Sequence, residues 1–157
     1  MCALVDTLEL FPKEHPQYQK LTALLEEMSD AVWKARDPHT KVWFQVLDTP
    51  GRPGNYPESS CSSQFIYALA KASRLGMLPR FDRMKLTDAY QGSVEQFIEV
   101  LNGQAIVTKC CQVAGLGGQQ KRDGSFAYYM SEPIIANDLK GTGAFIQAAA
   151  EVEGYGL

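Results

Sequence analysis

Apolar residues recur at helical spacing through most of the chain, and this pattern predicts helices separated by loops. The predicted helices cover residues 2–10, 17–36, 62–76, 85–101 and 141–152. In the second of these, apolar side chains from Tyr18 to Val32 follow each other at three- and four-residue steps. The third is apolar nearly all round, which indicates a helix buried on most sides. Ser59 or Ser60 is its expected N-cap, because serine hydroxyls accept hydrogen bonds from free helix N–H groups.

The segments between the helices contain short extended pieces and turn residues. Residues 42–47 predict a short strand, residues 105–113 are strand-like, and residues 125–130 predict the returning strand of a hairpin. Polar turn clusters at 115–118 and 121–124 separate the last two. The prediction is a mainly α fold of helical hairpins, an α/α toroid or part of one. A plain helical bundle does not need two such long connectors.

The first predicted helix begins at the initiator methionine, and no residue with a capping side chain precedes it. Its first N–H groups therefore have no side-chain partners. Its apolar face, with Leu4 and Leu8, also has no preceding element to pack on. We expect this helix to be the end of a longer one, and the chain to be part of a larger domain.

The longest distinctive connector runs from Trp43 to Ser63. Three prolines and two glycines in residues 50–57 restrict its backbone, so we expect a loop of defined shape. It displays an aromatic ring, amides and charged groups, which together suit a polyhydroxylated ligand such as a sugar. These side chains are Trp43, Gln45, Asp48, Arg52, Asn55, Tyr56 and Glu58. The competing interpretation is a solvated connector between two helices.

Composition restricts the class of protein. The 157 residues are 45% hydrophobic, which suits a single soluble unit over residues 1–157. The 15 basic and 18 acidic residues are well mixed and give a net charge of −3, so we expect no nucleic-acid partner. No apolar run reaches the length of a membrane span, so no membrane is expected. The first residues contain no basic leader, and we expect a cytoplasmic protein.

The four cysteines are Cys2, Cys61, Cys110 and Cys111. They form no Cys-x-x-Cys pair, so a zinc site is not expected. Adjacent residues on a strand point to opposite faces, and Cys110 and Cys111 therefore rarely bond each other. Free thiols in a reducing compartment are the expectation.

Three sets of motifs carry a resemblance to a known family. The first is VWFQVLD (residues 42–48) with GNYPESS (54–60). The second is GLGG (115–118) with RDGSF (122–126), and the third is YYMSEPI (128–134) with ND (137–138) and KGTG (140–143). In this order, and with MCALVD at the start, the chain resembles glycoside hydrolase family 105 over essentially its whole length. These are the unsaturated rhamnogalacturonyl hydrolases, which are related to the unsaturated glucuronyl hydrolases of family 88.

The resemblance implies an (α/α)6 toroid and a reaction on unsaturated uronide oligosaccharides, without a metal or organic cofactor. Members of the family do not use the ordinary two-carboxylate displacement. An aspartic acid protonates the C4–C5 double bond, water adds at C5, and the resulting hemiketal opens to release the neighbouring sugar. This is general acid–base catalysis by a carboxyl group that holds a proton near neutral pH.

The resemblance also implies that this chain is the C-terminal portion of the family's domain. The catalytic aspartate belongs to the other half, so no catalytic residue is assigned here. The motif positions make the long loop a candidate rim of the sugar pocket, with Arg122 and Lys140 as further candidates for an acidic sugar. The candidate loop contacts are Trp43, Gln45, Asn55, Tyr56, Glu58 and Ser62.

Other polar residues favour structural roles. Asp123 and Glu132 could form an acid–base pair, but Asp123 lies in a turn and Glu132 precedes a proline. Asn137 is as well explained by loop polarity. Two other functions remain open: a non-catalytic sugar-binding or interaction module, which forms a homo-oligomer or pairs with a complementing N-terminal chain, and another α/α-toroid sugar enzyme such as an epimerase.

Overall fold

The computed structural model describes residues 1–119 and 121–154. The helices are α1 Cys2–Leu10, α2 Tyr18–Lys34, α3 Ser59–Arg74, α4 Arg83–Phe97, α5 Phe126–Ser131 and α6 Leu139–Gly154. The strands are β1 Ile98–Leu101, β2 Gln104–Val107, β3 Cys110–Cys111 and β4 Ile134–Ile135. The predicted mainly α fold of helical hairpins is thereby confirmed.

Helices α1, α3 and α6 run side by side in the same direction, with α3 in the middle. At the start of α6, a Cβ on Gly141 would lie 3.4 Å from Ser59 Oγ at the start of α3. At the other end, Arg74 of α3 pairs with Glu151 of α6 at 2.8 Å. Helix α1 follows the same direction, because Cys2 at its start contacts the Gln64 carbonyl at 3.4 Å and Asp6 further along reaches Lys71 at 2.7 Å. Helices α2 and α4 return against α1 and α3 and complete two helical hairpins.

A single apolar core joins these helices. Its centre is α3, whose Ile66 and Leu69 are fully buried, as the all-round apolar pattern predicts. Helices α1, α2, α4 and α6 contribute Val5 and Leu8, Leu25, Leu86 and Ala148 to the same cluster, and the connecting segments contribute Trp43 and Phe81. Burial of these side chains supplies the main driving force for folding.

Two small antiparallel sheets follow α4. Strands β1 and β2 form a hairpin in which Ile98 faces Val107 and Leu101 faces Gln104. Its turn holds Asn102 and Gly103 at φ angles of 52° and 77°, as a tight primed turn requires. Strand β3 pairs with β4 much later in the chain. Residues 98–101 are therefore not helical, because the Asn-Gly turn makes them the first strand of a hairpin.

The prediction for residues 125–130 is wrong. These residues form helix α5, because Ser125 Oγ accepts a hydrogen bond from the Tyr128 N–H at 3.1 Å and caps the helix. The N-cap of α3 is Glu58 and not a serine. The strand predicted for 42–47 is reduced to one bridge between Phe44 and Pro57. Within residues 1–119 and 121–154, no helix combines the length and the apolar character needed to cross a membrane.

Candidate functional site

Both long loops lie at the end of the fold where α3 and α6 begin. The first is residues 42–58, called the 42–58 loop, and the second is residues 111–138, called the 111–138 segment. Several contacts between described residues join them. The Arg52 guanidinium carbon lies 3.7 Å from the centre of the Phe126 ring, and a Cβ on Gly54 would lie 3.6 Å from Met130 Cγ. Glu58 accepts a hydrogen bond from the Cys111 N–H at 2.9 Å, so the two loops form one layer.

Glu58 is a structural anchor in this layer. Its carboxylate is 1% exposed and accepts hydrogen bonds from the Cys61 N–H at 2.7 Å and from the Ser60 hydroxyl at 3.0 Å. It therefore caps α3 and joins it to β3 through Cys111. A carboxylate at a helix N-terminus is also favoured by the helix dipole. The predicted contact of Glu58 with substrate does not fit a side chain that is buried and already fully engaged.

Trp43 belongs to the core. Its ring is 0% exposed, and its Nε1–H donates to the Val32 carbonyl at 2.6 Å. The rings of Trp33 and Phe65 pack on it edge-on at 6.2 and 5.4 Å between centroids. A ring with neither face open does not suit the substrate contact expected for Trp43.

Ser62 and Asn55 shape the 42–58 loop from within. Ser62 Oγ accepts from the Trp43 N–H at 3.0 Å and donates to the Trp43 carbonyl at 3.1 Å. Asn55 Oδ1 accepts from the Val46 N–H at 3.1 Å. Asn55 Nδ2 donates to the carbonyls of Val46 and Thr49 at 2.8 and 2.9 Å. Both side chains are occupied by the backbone, which explains their place in the motif without a ligand.

Tyr56 points into the protein beside Cys111. Its hydroxyl is buried and meets no hydrogen-bond partner of ordinary geometry among the described residues. Burial raises the pKa of Tyr56 well above its usual range, and the neighbouring Cys111 raises it further. Burial also raises the pKa of Cys110 to about 11, with Glu58 adding to the effect. These groups stay neutral at physiological pH, and all four thiols of the chain are free.

Gln45, Arg122 and Lys140 remain accessible to a ligand. The half-buried Gln45 side chain has no hydrogen-bond partner in the described part of the chain. Arg122 Nε donates to the Gly117 carbonyl at 3.4 Å and supports the turn between them. Lys140 Nζ binds Asp138 Oδ1 at 2.5 Å and the Gln112 carbonyl at 3.0 Å, while its side chain is 54% exposed. The structure thus places three predicted contacts within reach of solvent, and their role in binding stays a prediction.

The remaining polar residues of the motifs support local structure. Asp123 Oδ1 accepts from the Ser125 N–H at 2.9 Å, and this bond lowers the pKa of Asp123. Glu132 follows α5 as its C-cap, and Asn137 Oδ1 accepts from the Val107 N–H at 3.1 Å. Within residues 1–119 and 121–154, no three His, Cys, Asp or Glu side chains come together in an arrangement that could hold a metal ion.

One polar cluster was missed by sequence reasoning. Lys71 of α3 is 9% exposed and pairs with Asp6 at 2.7 Å and with Glu9 at 2.9 Å. The Tyr67 hydroxyl donates to Asp6 at 2.6 Å. The spacing of Tyr67 and Lys71 places both on one face of α3, but their acidic partners lie on another helix. Only the packing of α1 on α3 brings the four together.

An open cleft of about 480 Å³ lies between the end of α2 and the start of the 42–58 loop. Its lining combines aliphatic residues with charged side chains. It is lined by Ala31, Lys34, Ala35, Arg36, Asp37, Pro38, Leu47, Asp48 and Pro50. The Arg36 guanidinium is already paired with Asp88 at 2.7 Å. Without an aromatic ring among its lining residues, this cleft is poorly suited to stack on a sugar.

Parallel helices backed by antiparallel partners, with the long loops gathered at one end, define this protein as part of an α/α toroid. The sequence profile of Glycosyl Hydrolase Family 88 matches residues 1–155. The chain therefore belongs to this family of glycoside hydrolases.

Curated relatives match most of the chain. It is 36% identical over 159 residues to "Protein Atu3128" of Agrobacterium fabrum and, equally, to the "24.9 kDa protein in picA locus" of Rhizobium radiobacter. The match covers 95% of this chain and 66% of either relative. This chain thus spans slightly less than two thirds of those proteins.

Solved structures give the same result. A family 105 glycoside hydrolase of C. acetobutylicum is 47% identical, with a TM-score of 0.93 over 97% of this chain and 42% of that one. A possible family 105 member from Salmonella enterica has a TM-score of 0.73 at 21% identity, which shows the fold alone. It covers 97% of this chain and 37% of that one. The resemblance to family 105, over only part of the domain, is confirmed.

Proposed function

We propose that this chain is part of an unsaturated uronyl hydrolase, which hydrates the C4–C5 double bond of the terminal sugar in an acidic oligosaccharide. The observation that carries the proposal is the close match to the family 105 hydrolase of C. acetobutylicum, at 47% identity along nearly the whole chain. A rhamnogalacturonyl or glucuronyl substrate, and a role in pectin degradation, follow from the same family relationship. In this proposal the chain supplies part of the toroid wall and the loop layer at its end.

The electrostatics of the chain are consistent with a catalytic acid located elsewhere. Protonation of a carbon–carbon double bond needs a carboxyl group that keeps its proton near neutral pH. Asp6, Asp37, Asp88, Asp123 and Asp138 all have lowered pKa values, because hydrogen bonds from neighbouring groups stabilise their ionised forms. Glu58 is committed to capping α3. None of these six carboxyl groups is suited to act as the catalytic acid.

The test is complementation. The 157-residue chain is assayed with an unsaturated uronyl disaccharide, alone and mixed with the portion of the C. acetobutylicum hydrolase that this chain does not match. We expect no turnover by either piece and measurable release of 4-deoxy-5-keto-uronate by the mixture, followed through loss of the double-bond absorbance. Turnover by the pure chain would contradict the assignment of the acid to the other portion. An assembled but inactive mixture would contradict the reaction itself.

A second candidate function is an interaction module that self-associates or pairs with another chain. The observation that favours it is the exposure of large apolar side chains on the flanking helices. Leu10 at the end of α1 is 86% exposed, Leu139 at the start of α6 is 88% exposed, and Ile146 of α6 is 62% exposed. Apolar groups of this size at the surface commonly mark an interface.

A further inference from the structure

Helices α1, α3 and α6 form one arc of parallel helices, with α3 in the middle. Helix α3 is buried nearly all round, whereas α4 buries a single stripe, so this arc is the inner layer of the fold. Ion pairs link its members: Lys71 of α3 reaches Asp6 of α1, and Arg74 of α3 reaches Glu151 of α6. The chain superposes on the C. acetobutylicum hydrolase with a TM-score of 0.93, so the arc has the curvature of that protein's ring.

Helix α6 has an apolar face on the side away from its neighbours. Its buried residues, on the side toward α3 and α4, are Gly141, Ala144, Ala148 and Val152. A second set recurs at steps of three and four residues and is exposed, called the α6 face: Leu139, Gly143, Ile146 and Ala150. At 3.6 residues per turn, this set lies on the opposite side of the helix from the buried one. Helix α6 is therefore built like an inner helix, yet one of its two sides is uncovered within residues 1–119 and 121–154.

Helix α1 has a matching face at the other end of the arc. It buries Val5 and Leu8 toward the core. Its exposed residues also recur at steps of three and four and lie on the side away from these two, called the α1 face: Ala3, Thr7 and Leu10. Both faces alternate small residues with large apolar ones and carry no charged group. Two parallel helices with such faces can approach closely, with large residues set against small ones.

We propose that two copies of the 157-residue chain close a single ring, in which the α6 face of each copy packs on the α1 face of the other. This inference rests on the self-association proposed as the second candidate function. The described residues supply three parallel inner helices, and the inner ring of an (α/α)6 toroid has six, so two arcs complete it. A two-fold axis through the centre of the ring keeps all the inner helices parallel and makes the two seams identical.

A second copy fits better than a single added helix, because it covers both free faces of the arc at once. Helices α2 and α4 lie behind α1 and α3, and among the described residues no helix covers the proposed seams from outside. Each seam is therefore one helix deep, and we expect the dimer to dissociate on dilution.

The first experiment is sedimentation equilibrium of the 157-residue chain over a wide range of concentrations. We expect a monomer–dimer equilibrium with an upper limit of twice the monomer mass of 17.4 kDa, because a closed ring leaves no free face for a third copy. A chain that stays monomeric, or one that keeps growing beyond the dimer, would overturn the proposal.

The second experiment changes one face at a time. Leu10→Glu places a charge on the α1 face and Ile146→Lys places one on the α6 face, and both positions are exposed in the single chain. We expect either variant alone to raise the dissociation constant of the dimer about tenfold or more, since the charge enters both seams. Met84→Lys is the matched control, because Met84 is an exposed apolar residue of α4 outside both faces, and it should associate like the wild type.

An equal mixture of Leu10→Glu and Ile146→Lys tests which faces meet. In the mixed dimer one seam keeps both native faces and the other sets Glu against Lys, so we expect the mixture to dimerise although neither variant does so alone. A dimer of Leu10→Glu alone would place the contact between two α6 helices, and a dimer of Ile146→Lys alone would place it between two α1 helices. Either result would overturn the ring but not self-association. A monomeric mixture, or a loss shared by Met84→Lys, would also overturn it. Because no sugar is present, failure here is distinct from failure of the hydrolase proposal.

Discussion

At the scale of single residues, Glu58 illustrates how a motif residue can be essential without touching a ligand. It caps α3, accepts from Ser60 and holds the Cys111 N–H of β3. We expect Glu58→Ala to lower the free energy of unfolding by about 3 kcal/mol, because several buried donors lose their acceptor. Glu58→Gln keeps one oxygen and should cost about 1 kcal/mol. Urea denaturation measures both.

The control for this prediction is Glu99→Ala, an exposed carboxylate of β1. It should change the free energy of unfolding by about 0.5 kcal/mol or less. A Glu58→Ala variant as stable as this control would show that the cap and its link to β3 contribute little.

The Asp6 carboxylate should make stability depend on pH. Partial burial alone raises the pKa of Asp6, but the hydrogen bonds from Lys71 and Tyr67 outweigh it and lower this pKa. A lowered folded-state pKa stabilises the fold above the unfolded pKa of about 4 and loses this contribution as pH falls through the folded value. Because Asp6 is half exposed, Asp6→Asn should cost about 1 kcal/mol or less.

The measurement is chemical denaturation of the wild type and Asp6→Asn at several pH values. The difference between them should be constant from about pH 6 to 8 and shrink below about pH 4. Asp48→Asn, at an exposed carboxylate without an ion pair among the described residues, should show no such change. A difference that grows on acidification would contradict the assigned direction.

At the scale of elements, two glycines have opposite consequences. In α4, a Cβ on Gly92 would lie 2.5 Å from Lys41 Cβ and 2.9 Å from the Thr40 carbonyl oxygen. We expect Gly92→Ala to destabilise the protein by about 2 kcal/mol, because α4 must move away from this turn. In α6, Gly143 has no neighbour within 4 Å of such a Cβ. Gly143→Ala should stabilise the protein by up to about 1 kcal/mol.

Thermal unfolding of Gly92→Ala, Gly143→Ala and the wild type tests both expectations in one experiment. A destabilising Gly143→Ala would mean that α6 is less regular at this position than the structure shows. A Gly92→Ala variant as stable as the wild type would mean that residues 40–41 can shift without loss of stability.

At the scale of the whole molecule, the exposed apolar residues of α1 and α6 predict association. If the flanking helices form an interface, the 157-residue chain should exceed its monomer mass of 17.4 kDa in light scattering after size exclusion. The double variant Leu10→Glu and Leu139→Glu should return it to the monomer, since a buried charge opposes an apolar interface. Leu101→Lys, at an exposed leucine of the β1–β2 hairpin, is the control. A wild-type monomer would contradict self-association through these helices.

Helical periodicity was sufficient to predict the main helices, because the buried face of a helix requires apolar residues at three- and four-residue steps. It failed where a short-range signal competed with it. Residues 98–101 continue the apolar pattern of α4, yet the Asn102-Gly103 turn pairs them with β2. Residues 125–130 follow a polar turn, as the return strand of a hairpin would, yet Ser125 caps a helix there.

The candidate site was predicted less well, since residue type does not reveal which way a side chain points. Trp43, Asn55, Glu58 and Ser62 have the chemistry of a sugar site, but the fold uses them to hold the loop. Tyr56 is turned inward beside Cys111. Arg52 was visible on the loop, but nothing near it in sequence indicated the ring on which it lies.

The sequence by itself determined the helical hairpins, the stiff 42–58 loop and the family, because periodicity, proline content and motif order are local properties. Only the tertiary structure decided which polar groups are hydrogen-bonded or ion-paired within the fold and which stay free. Those decisions depend on contacts between distant residues: Glu58 with Cys111, Asp6 with Lys71, and Arg52 with Phe126. Burial and hydrogen-bond satisfaction are set by such contacts, and no local pattern encodes them.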